Sequence, residues 1–169
     1  RIKQAGDLFE LTLKKEPTNP DLLNNLAHFY ADNTIHLAKA TLLIDSALNL
    51  VSKENNSHTA SFLDTSAWID FQKGNTDIAY AKLSTALDMI ISLYQPPPDL
   101  PASELQAFIA TQPNYNAFPE VVCSRYHLAM VEWKRGNKEQ ALELVNQVNS
   151  VPASSPEIII WQEKAKALE

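Results

Sequence analysis

The chain is short of cysteine, glycine, basic residues and long apolar runs, and each shortage excludes something. A single cysteine, Cys123, rules out an internal disulfide and leaves the redox compartment open. Three isolated glycines in 169 residues leave no phosphate-cradling loop. No apolar stretch approaches the roughly 20 residues of a membrane-spanning helix; IIIW at 158–161 is among the longest. Lys and Arg number 14 against 20 Asp and Glu, for a net charge of −6. That sign disfavours nucleic-acid backbones and anionic membranes as partners, and suits a basic or neutral protein. The opening residues RIKQAGDLF show neither an initiator Met nor a signal-peptide pattern, and read as a piece of a longer protein.

What the chain does have is 45% hydrophobic residues, enough for a sizeable core. Ten prolines are confined to a few places; none lies at 21–95 and none at 120–151. Helix interiors exclude Pro, so these windows are where helices can run. Within them apolar residues recur at spacings of three and four: Leu22, Leu23, Leu26 and Phe29; Ala40, Leu43, Ile44 and Ala47; Ala79, Leu83, Ala86 and Ile90; Ala141, Val145 and Val148. Those spacings mark amphipathic helices rather than strands. Asn19-Pro20-Asp21 and Ser155-Pro156-Glu157 each join a capping side chain, a first-turn Pro and an acid, the signature of a helix start. The pattern predicts helices over about 2–15, 20–32, 36–51, 58–73, 76–94, 120–135, 138–149 and 156–168, with a short one near 102–110. The short connections make neighbours antiparallel hairpins.

Two of the glycines sit in one repeated phrase. AWIDFQKGN at 67–75 returns as AMVEWKRGN at 129–137, with Gly74 and Gly136 placed 62 positions apart. Aligned on these glycines, Ala67 matches Ala129, Ala79 matches Ala141, and Leu83 matches Val145. The segment from 20 joins the pattern through Leu26-Ala27, Ala40, Ile44 and Ala47, with one extra residue in its turn, ADNTIH. The chain thereby resembles the tetratricopeptide repeat family, whose unit is a helix-turn-helix of 34 residues. The resemblance departs at Asp70 and Glu132, where the family often has Tyr, at Ser66 and at Val148. It implies an all-α fold, a right-handed superhelix of antiparallel hairpins. One array would span 1–169: a partial repeat at 1–19, repeats at 20–54, 58–93 and 120–152, a Pro-rich insert at 94–119, and a capping helix at 155–169. The phrasing is similar to that of bacterial repeat proteins, including those of envelope and exopolysaccharide export, which implies a bacterial cytoplasm or periplasm.

In such arrays the first helix of each hairpin lines a concave groove, so the resemblance also implies a site. Its groove positions are Asn24 and His28 in the first full repeat, Asp64, Trp68, Phe71 and Gln72 in the second, and Tyr126, Met130 and Trp133 in the third. The aromatic members and Met130 would anchor a partner peptide, helix or domain; the polar members would set its register. Alternatively the same apolar patch is covered from within, by the insert or by the last helix with Trp161. The carboxylate clamp of one branch of the family needs groove lysines and arginines; Asn24 and Asn25 fit, but Tyr126 and His127 stand where bases are wanted, with Arg125 one step off. The insert carries Leu105, Phe108 and Ile109 on one helical face and would act as a lid over the groove, as an insert recognised by a partner, or as a tether between hairpins.

Catalytic and metal signals are poor. Cys123 and His127 stand four apart on one helix, but two ligands do not make a zinc site. His28 and Asp32 have the spacing of an oriented base, with no nucleophile motif beside them. The expectation is a non-catalytic interaction scaffold with no cofactor, no metal and no catalytic residue. A self-association or spacer module, with possible homo-oligomers, and a regulatory arm of a larger enzyme or export assembly stay open.

Overall fold

The computed structural model describes residues 2–51, 57–111 and 114–167. Among these residues the chain is all-helical. The helices are α1 (Ile2–Lys15), α2 (Pro20–Asp32), α3 (Leu37–Leu50), α4 (Ser57–Gln72), α5 (Thr76–Ser92), α6 (Ala102–Thr111), α7 (Pro119–Arg135), α8 (Lys138–Asn149) and α9 (Pro156–Lys166), with a 3-10 turn at Tyr115–Ala117. The expected starts hold. Asn19 accepts from the backbone N–H of Asp21 and Leu22 ahead of Pro20, and Ser155 accepts from that of Ile158 ahead of Pro156. Against a 34-residue repeat the sequence carries five extra residues near KENNSHT, and part of that stretch, 53–56, lies outside the described residues.

Three hairpins, α2–α3, α4–α5 and α7–α8, pack side by side, with α1 against α2 and α9 against α7 and α8. The small residues explain the close approach. Ala27, Ala67 and Ala129 in the first helices, and Ala40, Ala79 and Ala141 in the second, are all fully buried. Ile44, Leu83 and Val145 fill the neighbouring space and are equally buried. α7 packs on α5 directly, so the chain between them loops out of the stack. The predicted insert helix forms as α6, but its residues 102–107 are exposed.

The repeated phrase closes the same turn twice. Gly74 and Gly136 have φ of +86° and +89°, and a Cβ on either would meet no atom within 4 Å. Their value is thus purely conformational. Asn75 and Asn137 donate their backbone N–H to the carbonyl oxygens of Asp70 and Glu132, both at 2.9 Å. Their side-chain amides then donate to the same two acids, at 3.3 Å to Asp70 and 2.6 Å to Glu132. The acid and the Asn recur together because each satisfies the other. Asp70 also takes Lys82, at 2.6 Å.

The first hairpin lacks the glycine, and Thr34 and His36 take φ of +52° and +49° instead. α3 therefore begins at Leu37, one residue later than its apolar spacing predicts. Gly136→Ala should lower unfolding stability by about 1 kcal/mol, and Thr34→Gly should raise it by up to about 1 kcal/mol. Urea midpoints check both; unchanged midpoints would remove the backbone argument.

Candidate functional site

α2, α4 and α7 lie next to one another, and α9 closes over them. The seating of α9 follows from its sequence: Ile158, Trp161 and Ala165, spaced three and four apart, are its buried stripe. Trp161 reaches furthest, with ring centroids 5.4 Å from Tyr126, 5.2 Å from His127 and 6.0 Å from His28. One turn on, the Lys164 ammonium donates to Asp32 of α2 at 2.8 Å and lies 4.2 Å above the Trp161 ring. Gln162 holds the other side, donating to the carbonyl oxygens of Val148 and Val151.

This closure decides the fate of the expected groove residues. Trp68 is only 4% exposed, stacked 5.0 Å from Phe71 and 4.1 Å from His127. Tyr126 is buried beneath Trp161, and Met130 packs between the core shared by α2, α3 and α4 and the core of α7, α8 and α9. Of the aromatic set only Trp133 is substantially open, at 37%, with Lys138 over its ring. Gln72 is half-buried and accepts from the Thr34 hydroxyl at 3.3 Å. The cover over Tyr126 and His127 comes from Trp161 on the last helix, and the end of the insert adds Ala117 and Pro119 at its edge. Arg125 turns away to donate to Asn116 at 2.6 Å.

The polar members converge. Asn24, His28 and Asp64 share the wall of a cavity of about 370 Å³ between α2, α4, α7 and α9. Glu120 and Glu157 also line it. Asp64, 4% exposed, accepts from the fully buried His127 through Oδ1 and Nδ1 at 2.8 Å. Burial alone would raise the Asp64 pKa, but the charge and hydrogen bond of His127 bring it below the ordinary carboxylate value. Burial drives His28 the other way, down to about 4, so its ring is neutral at neutral pH. Burial, and then the Asp64 charge, hold the Cys123 thiol well above its usual pKa, which leaves it a poor nucleophile. Asn24 Oδ1 is a buried acceptor that no described protein group donates to, while the Ser124 hydroxyl also helps to hold the Asp64 carboxyl low.

Compared with known proteins, the chain matches no family model and no curated protein. Among the described residues no helix is long and apolar enough to cross a membrane.

Sequence reasoning placed Asn24, His28 and Asp64 on one face but missed that His127 is the buried partner of Asp64. The two are 63 residues apart, and no local spacing reports such a pair. His28 and Asp32, read as a spaced couple, part company: Asp32 takes Lys164, while the His28 ring lies 5.8 Å from that of His127.

Proposed function

We propose that the chain is a non-catalytic protein-interaction module of the tetratricopeptide type, a right-handed superhelix of hairpins that holds a partner segment on its concave side. The helices α2, α4 and α7 supply the groove, and the chain's own α9 fills its aromatic part. The partner's segment enters the remaining cavity. One observation carries this reading: the buried acceptor Asn24 Oδ1 borders the cavity without a donor, in the same wall as the Asp64 carboxylate. A buried acceptor left unpaired costs about 1–3 kcal/mol, so a donor-bearing group would be held there. With Glu120 and Glu157 also in the wall and a net charge of −6, a lysine, arginine or amide side chain fits best.

The test is affinity capture from a native extract with the wild-type chain, with Glu120→Lys/Glu157→Lys, and with the control Glu143→Lys on an exposed face of α8. A protein held by the wild type and the control, released by salt and lost with the double variant, is the expected result. Retention by all three would move the site away from the cavity. Capture of nothing, with a size in solution that grows with concentration, would favour self-association.

A further inference from the structure

The fold brings a third ligand to a pair that the sequence alone leaves incomplete. Cys123 and His127 face the same side of α7, one helical turn apart. His28 arrives from α2, two hairpins away in the chain. One donor atom from each of His28, Cys123 and His127 lies within 4.8 Å of the other two. The geometry points to a binding site for a single thiophilic metal ion, of the zinc class, that clasps α2 to α7 across the groove. This inference does not depend on the partner reading.

Four observations support it. First, the ligand set is right. Two imidazoles and a thiolate are the mixture that zinc takes, with the fourth position left to an exchangeable ligand. Second, the spacing is close. The Cys123 sulfur lies 3.7 Å from His127 Nδ1 and 4.0 Å from its Nε2. A tetrahedral zinc site with ordinary bond lengths needs a sulfur-to-nitrogen separation of about 3.5 Å, so the Cys123 side chain must swing from the Nδ1 side of the ring toward Nε2 when the ion binds.

Third, His127 is already set for the role. Its Nδ1 is engaged by Asp64 at 2.8 Å, which directs Nε2 to the metal. A carboxylate behind a ligating histidine fixes the ring and strengthens its donor nitrogen. The stacked Trp68 ring, 4.1 Å away, holds the imidazole from its face. Fourth, the surroundings favour a dication. The carboxylates of Asp64 and Glu120 line the same cavity as His28 and Cys123. His28 and Cys123 line the cavity, so the fourth position can be reached by water or by a partner's side chain.

Binding exchanges one bond for another without redox change. The Cys123 S–H bond breaks, its proton passes to buffer, and the sulfur's electron pair forms the metal bond. Each imidazole donates a ring-nitrogen lone pair to the metal.

The experiment uses the tag-free chain in metal-free, reducing buffer, titrated with Co²⁺ and then Zn²⁺. One equivalent of Co²⁺ should give a thiolate-to-cobalt charge-transfer band and intense visible bands of a tetrahedral ion, and Zn²⁺ should erase both. Saturating Zn²⁺ should raise the melting temperature by about 5–10 °C. Cys123→Ser should abolish the charge-transfer band, and His28→Gln should weaken Zn²⁺ binding by at least about tenfold. Circular dichroism confirms that both variants keep their helices; His28 and Cys123 are only partly buried, so both substitutions should be tolerated. Absence of the band in the wild type would overturn the proposal. So would equal zinc affinity in the wild type and both variants, which would mean that the ion sits on surface carboxylates.

Discussion

Trp161→Ala should cost about 3–5 kcal/mol of unfolding stability, the range for removing a large buried aromatic side chain. The effect is this large because one ring closes the site. Trp161 touches Tyr126, His127 and His28 at once, and it carries the Lys164 ammonium that reaches Asp32. α9 is short, from Pro156 to Lys166, and a lone helix of that length is marginal in water. Without its aromatic anchor the remaining stripe is Ile158 and Ala165. The expected outcome is therefore local as well as global. Amides of α9 should lose hydrogen-exchange protection first, while α2 to α5 keep theirs. Trp68 and Tyr126 should become accessible, which intrinsic fluorescence would report as a shift to the red. A variant with wild-type stability and a protected α9 would show that Gln162 and Ile158 suffice to dock the helix.

Asp64→Ala should be of similar size, about 3–5 kcal/mol, for a different reason. Asp64 and His127 are buried together, and truncating one leaves the other without its partner. Asp64→Asn keeps an acceptor for Nδ1 and should lose only about 1–2 kcal/mol. Urea unfolding of the two variants side by side separates the hydrogen bond from the space it fills. Equal losses for Ala and Asn would mean that the charge matters and the acceptor does not. A loss under about 1 kcal/mol for Asp64→Ala would sink the claim that this pair holds α4 to α7.

The two substitutions also separate what was legible from what was not. The interior of each hairpin is written locally. Ala67, Ala79 and Leu83 sit at fixed offsets from Gly74, and Ala129, Ala141 and Val145 repeat those offsets from Gly136. All are buried. A helix repeats its face every three to four residues, so such a pattern needs no tertiary information. The acid and Asn of the repeated phrase were visible as letters, but their meaning was not. The bond from Asn137 to Glu132 runs backwards around a left-handed turn, and only the turn's geometry aims it.

The face shared by α2, α4 and α7 was half legible. Counting along each helix places Asn24, His28, Asp64, Trp68 and Tyr126 toward a common side. It does not say whether solvent, a partner or the chain itself meets them there. That depends on where the segment after Val151 travels, and the stretch VPASSPE sets no direction by itself.

The sequence by itself determined the helices, their caps, the hairpin pairing and the small-residue seams, because each rests on contacts within a few turns of chain. Only the tertiary structure decided that Trp161 fills the aromatic face, that Asp64 pairs with His127, and that His28 meets Cys123. Those contacts join residues far apart in the chain, and their chemistry exists only once stacking has set the distance between helices.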